Sequence, residues 1–406
     1  MEIHRAYLMK ISISDIEIEP RTKVLLRVDF NLPLELGPSE LKKYQHRLVE
    51  SLPTIKSLIS HQCIVVLCSH AGRPKGKIDE SLRLKPIGDL LADLLGQEVI
   101  CLSSVIGDNI RQEIDSAPKG TIFLLENLRF EPGEESNDDQ FAESLSQLGD
   151  IFVMDAFAVC HRAHASTVQI TNHLESYMGL LLEKEIENLS NVMKSPKPPY
   201  TVLMGGAKVS DKIQVIDNLL PQINNLLIGG GMANTFLKAM GFEIGESFYE
   251  PDSLAYASNL LEITSKSGVT ILLPTDLVIT NEFSSSSPSS IVKLSEIPPS
   301  SHIMDIGPQT SLKYSSIIDQ SNTLLWNGPM GVFEFEEFQA GTRHIAESIA
   351  NNTKLISVVG GGSTAEAVEE LGISSHITHV STGGGASLDF LSGKPLPGIE
   401  ALPDKS

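Results

Sequence analysis

Residues 358–371 read VVGGGSTAEAVEEL. An apolar run ends at Gly360, Gly361 and Gly362, and a helical pattern opens with Ser363 and Thr364. Strand, glycine turn and helix form the repeating unit of a parallel α/β sheet, and the turn sits where such sheets hold phosphate. Ser363-Thr364-Ala365-Glu366 also fits a capping box, with Ser363 as N-cap and Glu366 folding back onto its backbone. The cap is the preferred reading, because an N-cap satisfies N–H groups that the helix leaves orphaned.

The same unit recurs along the chain. KVLLRVDFN, CIVVLCSHAGR, TIFLLENLRF and DIFVMDAF read as strands in the first half. YTVLMGG, NNLLIGGG, VTILLPTD, TLLWNGP, KLISVVGGG and HITHVSTGGG do so in the second. These are nearly continuous apolar runs, as expected when helices cover both faces of a parallel sheet. Stretches such as SLRLKPIGDLLADLLG carry helical periodicity and close on glycine. The pattern predicts an α/β fold of two doubly wound, Rossmann-like parallel-sheet lobes. A long helix near YMGLLLEKEIENLSNVMKSPKPP would join them, with a hinge and a cleft between. The expected domains are 1–178 and 179–393. EFSSSSPSS (282–290) reads as a solvated flexible connector.

With 406 residues, two domains are the first expectation. A hydrophobic fraction of 41% and a charged fraction of 20% suit a soluble globular protein, and no apolar stretch is long enough for a membrane span. The start, MEIHRAYLMKISISD, has no signal or transit character, and Met9 is the more natural beginning. A cytoplasmic location follows as the expectation. Net charge −20 argues against nucleic acid and anionic membranes as partners. The four cysteines, Cys63, Cys68, Cys101 and Cys160, show neither CxxC nor metal spacing and read as buried thiols.

Ligands of doubly wound sheets bind beyond the carboxyl ends of the strands. In the first half those ends carry Asp29, Asn31, His70, Arg73, Arg129 and Arg162, with Arg47 opening a helix nearby. Several guanidinium forks at equivalent ends of one sheet suit a small polyanion. In the second half the ends carry Gly205-Gly206, Gly229–Gly231, Gly360–Gly362 and Gly383–Gly385. Four such turns suggest a nucleotide cradle in which backbone N–H groups approach the phosphates. None is a dinucleotide fingerprint or a Walker loop. Lys208 and Lys212 are expected one helical turn apart, beside the first of these turns. A polyanion lobe and a nucleotide lobe together point to phosphoryl transfer, in which positioning and charge neutralisation do most of the catalysis. Lobe closure would exclude water.

The motif series RVDFNLPL, SHAGRPKG, LLENLRF, DAFAVCHRAHAST, GGAKVSDKI, GGGMANTF, WNGPMGVFEFEEF, VVGGGSTAEAV and VSTGGGASLDF resembles that of the phosphoglycerate kinases, in order, from about Lys23 to about Leu402. The resemblance implies transfer of the acyl phosphate of 1,3-bisphosphoglycerate to MgADP, reversibly, giving 3-phosphoglycerate and ATP. It implies a phosphoglycerate site of Asp29, Asn31, Arg47, His70, Ala71, Gly72, Arg73, Arg129 and Arg162. Arg47, Lys212, Gly383 and Gly384 would be the catalytic set. Gly206, Ala207, Lys208, Lys212, Gly230, Gly307, Pro329, Glu334, Gly361, Gly362, Ser363 and Thr364 would take the nucleotide. It further implies that a tail of about 394–406 returns to the first lobe, and that the chain is a monomer.

Four departures from the family pattern stand out. The segment between Asn31 and Arg47 is longer, Met154 replaces Asn, Ala158 replaces Gly, and Ser363 replaces the Asp that helps hold Mg²⁺. Ser363 or Glu366 is the available metal-side oxygen. A catalytically weakened paralogue kept for ligand binding is the alternative function.

Overall fold

In the computed structural model the structure describes residue 7, residues 9–36 and residues 38–405, with only the backbone of residues 38, 39 and 43. The expected start at Met9 rather than Met1 concerns residues that lie mostly outside those described. The chain divides into two compact units, Met1–Glu187 with Pro395–Ser406, and Asn188–Lys394. The division falls inside the helix Leu180–Lys194.

In the first unit the strands are Lys23–Arg27 (β1), Ile64–Cys68 (β2), Ile100–Cys101 (β3), Ile122–Leu124 (β4), Ile151–Met154 (β5) and Glu175–Met178 (β6). They form one parallel sheet in the order β3-β4-β2-β1-β5-β6. Every residue of β2 is buried, because both faces are covered. The helix His46–Ser60 buries Leu48, Ile55 and Leu58 at helical spacing against the core that holds Val24, Leu26, Val65 and Leu67. Each such side chain contributes about 1.5–3 kcal/mol on burial. The C-terminal residues belong to this unit. Ile11 N–H donates to Pro403 O at 3.1 Å, and Gly398 N–H donates to Cys160 O at 2.9 Å.

In the second unit the strands are Tyr200–Met204 (β7), Asn225–Ile228 (β8), Thr270–Leu272 (β9), Asp276–Thr280 (β10), Ser289–Lys293 (β11), His302–Ile306 (β12), Thr323–Asn327 (β13), Ile356–Gly360 (β14) and His379–Val380 (β15). Six form a parallel sheet in the order β15-β14-β13-β7-β8-β9. The other three form an antiparallel sheet in the order β11-β10-β12. The segment 282–290 is therefore not a free connector. It closes the β10–β11 hairpin, and Ser289 and Ser290 already lie in β11. β11 is an edge strand with most side chains in solvent, so its serines suit it.

All four cysteines are free thiols; Cys63, Cys68 and Cys160 are buried, while Cys101 is partly exposed. Met154 is fully buried at the end of β5, opposite Arg27 and Met178.

Candidate functional site

The first unit gathers its cations beyond β1, β2 and β4. Asp29 follows β1 and takes a contact from Arg47 Nη1, which the helix His46–Ser60 presents from its first turn. His70, following β2, is buried with Nδ1 3.8 Å from Asp29 Oδ1. Asn31 Oδ1 accepts the Gly72 N–H at 2.9 Å. Gly72 O accepts Arg129 Nη1 at 2.7 Å, and the Arg129 Nε lies 3.2 Å from Glu135 Oε1. Gly72 has φ +60°, and a Cβ there would stand 2.7 Å from Leu82 Cδ2, so the close turn needs glycine. Asn127 fixes the same turn by accepting Ala71 N–H at 3.2 Å and donating to Ala71 O at 2.8 Å. Asp29, Arg47, His70 and Arg129 are thus brought together. Arg162 is half-buried and bonded to His161 at 3.1 Å, and Arg73 is exposed without a partner among the described residues.

This pocket is strongly positive. Burial pushes the His70 imidazole well below the usual histidine range, and Arg27, Arg129, Arg47 and His164 push it further. His164 is lowered to about 4 by burial, then by Arg27, Arg129 and Arg162. His70 is therefore neutral, and its approach to Asp29 is not an ion pair.

In the second unit a cavity of about 600 Å³ opens beyond the carboxyl ends of β7 and β13, the paired strands between which the strand order reverses, the topological switch point of the sheet. Gly206, Ala207, Gly230, Pro329 and Glu334 line it, together with Phe248, Phe283, Met304 and Val332. Gly307 is not on its lining. It packs on Asp276, whose carboxylate accepts Gln309 N–H at 3.0 Å and Thr310 N–H at 2.7 Å.

The glycine turns fall into two kinds. The N–H groups of Gly205, Gly206, Gly229 and Gly230 are spent on Asn327 O, Pro329 O, Met204 O and Met330 O at 2.8–2.9 Å. A Cβ on Gly205 would stand 2.2 Å from Pro329 O. These glycines let backbones touch; they do not offer donors to an anion. The turns after β14 and β15 differ, although the Gly383 N–H is itself given to Ser381 Oγ at 3.2 Å. Gly361 (φ +92°) is the N-cap of the helix Gly362–Glu370, so the N–H groups of Gly362, Ser363 and Thr364 form its unsatisfied first turn. Gly384 (φ +53°) opens the helix Gly385–Leu391 beside it. Both border a second cavity of about 330 Å³ with Lys208, Asp211, Lys212, Asn327 and Gly328.

Two expectations are corrected here. Ser363 is not an N-cap, and no side-chain cap bond is made. Gly361 occupies that position because its left-handed φ turns the chain directly into the helix. Ser363 is the second helical residue, exposed at the edge of both cavities, and Glu366 lies beyond capping range. Lys208 and Lys212 are not one helical turn apart on a face. They precede the helix Ile213–Leu219 in a turn, Lys208 exposed and Lys212 buried. The Thr364 hydroxyl accepts the Gly328 N–H at 2.7 Å, tying this helix to the end of β13.

Lys212 is 7% exposed, and its ammonium has no partner among the described residues. Burial pulls its pKa down against the pull of Asp211 and Glu250. Three lining residues had no sequence signal: Asn327, whose buried Nδ2 has no partner among the described residues; Asn234, whose Nδ2 donates to Phe248 O at 3.1 Å while Oδ1 has none among them; and Asp211. Asp305 also lines the larger cavity, but its oxygens accept Ile306 and Gly341 N–H at 2.8 and 2.7 Å, so it builds the wall.

A family model described as phosphoglycerate kinase matches residues 13–394. A phosphoglycerate kinase of Moorella thermoacetica is 45% identical over 396 residues, covering 98% of this chain and 100% of that protein. The solved phosphoglycerate kinase of Coxiella burnetii superposes with a TM-score of 0.83 at 36% identity, covering 97% of this chain and 98% of that one. That of Pyrococcus horikoshii OT3 does so with 0.81 at 32% identity and the same coverage. The motif series, the two parallel sheets and these matches agree, and the chain belongs to the phosphoglycerate kinase family.

Proposed function

We propose that the first unit binds phosphoglycerate, that the second binds the adenine nucleotide, and that the chain catalyses the reversible transfer of a phosphoryl group between them. The observation that carries the proposal is Lys212: a buried cation, unpaired among the described residues, bordering the open first turn of the helix Gly362–Glu370. That arrangement is complementary to terminal phosphates. In the ATP-consuming direction a carboxylate oxygen of 3-phosphoglycerate attacks the γ-phosphorus, the bond to the β-phosphate oxygen breaks, and ADP leaves. Arg129, His70 and Arg162 hold the phosphoglycerate charges. Neutralising the group in transfer is assigned to Arg47 of the first unit and to Lys212 with the Gly383–Gly385 turn of the second. Phe248, Phe283 and Met304 form the apolar walls for the base.

Among the described residues no cluster of His, Cys, Asp or Glu could hold a metal alone. This fits Mg²⁺ that arrives on nucleotide phosphates and needs only one or two protein oxygens; Asp211 and Ser363 border the smaller cavity and could give them, whereas Glu366 is on the lining of neither cavity. Bound with the nucleotide, the ion would supply charge neutralisation across the β- and γ-phosphates. Nothing in the family match or the relatives favours a non-catalytic paralogue. Net charge −20 disfavours nucleic acid and anionic membranes as partners, and among the described residues no helix is long and apolar enough to cross a membrane; a cytoplasmic location and a monomeric state are carried in the proposal from the family resemblance alone.

The test is a coupled assay of ATP consumption with 3-phosphoglycerate, run across magnesium concentrations. Robust turnover supports the proposal, and its absence overturns it. In Ser363→Asp the magnesium needed for half-maximal rate falls. Without magnesium the added carboxylate repels phosphate, so calorimetric ADP affinity falls in that arm only. A magnesium titration identical to that of the parent would sink the role given to Ser363.

The histidines report the substrate. In the free protein His164 stays neutral down to about pH 4. Only the unfolded chain then gains a proton as pH falls from about 6.5, so stability is lost across that window. Phosphoglycerate among the same arginines offsets their field and raises the His164 pKa. An NMR titration of its ring protons, with and without 3-phosphoglycerate, measures the rise; an unchanged midpoint places the ligand elsewhere.

A further inference from the structure

Behind the arginine pocket lies a buried group of polar side chains that the reaction does not use. Arg27 at the end of β1 is 1% exposed, and Glu134 and Ser166 are fully buried. Arg27 Nε lies 2.9 Å from Ser166 Oγ. Ser166 Oγ lies 2.6 Å from Glu134 Oε1, and Ser166 N–H donates to Glu134 Oε2 at 3.1 Å. Arg27 Nη2 lies 3.3 Å from His70 Nδ1, and Arg27 Nη1 donates to Val28 O.

The direction of every proton in this chain follows from one fact: a guanidinium only donates. Ser166 Oγ accepts from Arg27 Nε, so its own O–H points to Glu134, whose oxygens both accept. Burial pushes the Glu134 carboxyl above its ordinary range, while Arg27, the two Ser166 bonds and Arg129 pull it back toward the carboxylate form that accepts from Ser166. At the other end His70 Nδ1 accepts from Arg27, so the ring proton sits on Nε2. Asp29 competes for the opposite outcome. Its Oδ1 stands 3.8 Å from the same Nδ1 and would draw a proton there, leaving Nε2 as a lone pair. Arg27 is closer and within hydrogen-bond range, and it wins.

We propose that Glu134, Ser166 and Arg27 form a buried donor chain that holds His70 as its Nε2–H tautomer, so that the ring presents a donor to the bound anion. His70 Nε2 has no partner among the described residues, as a ligand-facing donor requires. Glu134 and Ser166 are positioning residues; they act through Arg27 and His70. The inference rests on the proposed phosphoglycerate pocket.

The first test needs no substitution. Long-range ¹⁵N–¹H NMR of the whole protein reads the His70 tautomer directly. Nε2–H is expected, and Nδ1–H overturns the donor chain. In Ser166→Ala, His70 shifts to a tautomer mixture, KM for 3-phosphoglycerate rises about five- to tenfold, and kcat and the ADP KM stay within about twofold. Ser166→Thr, which keeps the hydroxyl, restores both readouts. In a His70→Gln background Ser166→Ala adds nothing, because its effect passes through the ring. Should His70→Gln leave 3-phosphoglycerate affinity unchanged, the substrate pocket itself is misplaced. Should His70→Gln weaken binding while Ser166→Ala changes neither tautomer nor KM, the donor chain alone fails.

Discussion

Replacing Arg47 by methionine is expected to lower kcat about 10³-fold, while ADP affinity stays within about twofold. Arg47 is the second residue of the helix His46–Ser60, half-buried, with Nη1 on Asp29. Asp29 fixes the guanidinium, and the remaining N–H groups have no other partner among the described residues. A cation so oriented, with donors to spare, is suited to charge that develops only during transfer. Its removal therefore falls on kcat more than on binding. A structural role predicts the opposite pattern. A partly exposed ion pair contributes about 1 kcal/mol or less to stability, so a purely structural Arg47 would leave kcat nearly intact. Arg47→Lys should recover less than tenfold of the loss, because one ammonium cannot both hold Asp29 and reach the phosphoryl group. Single-turnover rates for the two variants decide it, and a kcat within about threefold of the parent's assigns Arg47 to the scaffold.

The two parallel sheets were readable because their central strands are continuous apolar runs: IVVLC of β2 and TLLWN of β13 permit little else. β3 has only two residues, and β6 reads ESYM, so neither leaves a periodic signal. β11 reads SSIVK, an exposed edge strand that looks like a linker. The arginine pocket was readable because Arg73, Arg129 and Arg162 lie in the segments beyond strand ends, while Arg47 comes from the start of a helix and was legible only through the motif series. The glycine turns were readable only as a class. Which of them keep free N–H groups depends on contacts between turns, such as Gly206 N–H on Pro329 O, more than 100 positions away along the chain. The cap was misread for a related reason. S-x-x-E looks the same whether serine precedes the helix or lies inside it, and the choice is made by the φ of Gly361. Asn327 and Asn234 gave no warning, since an isolated asparagine has meaning only once its orphaned atom is located.

Lys212→Met should be both less active and more stable. The ammonium is buried, unpaired among the described residues, and carries a depressed pKa caused chiefly by burial. A lysine whose folded pKa lies below its unfolded value costs stability at neutral pH, and that cost disappears as pH rises through the folded pKa to the unfolded one. Methionine fills much the same volume without the charge, so the nucleotide-free variant should melt at a higher temperature than its parent. A bound nucleotide supplies the missing anion to the parent alone. The difference in melting temperature should therefore shrink or reverse at saturating MgADP. Activity moves the other way, with kcat lower by about 10²- to 10³-fold and phosphoglycerate affinity unchanged. A Lys212→Met variant that melts lower than its parent without nucleotide would mean that the ammonium is paired within the fold, and one with normal kcat would take it out of the transfer step. Together the two readouts distinguish a cation held at a cost for the sake of its ligand from one that belongs to the core.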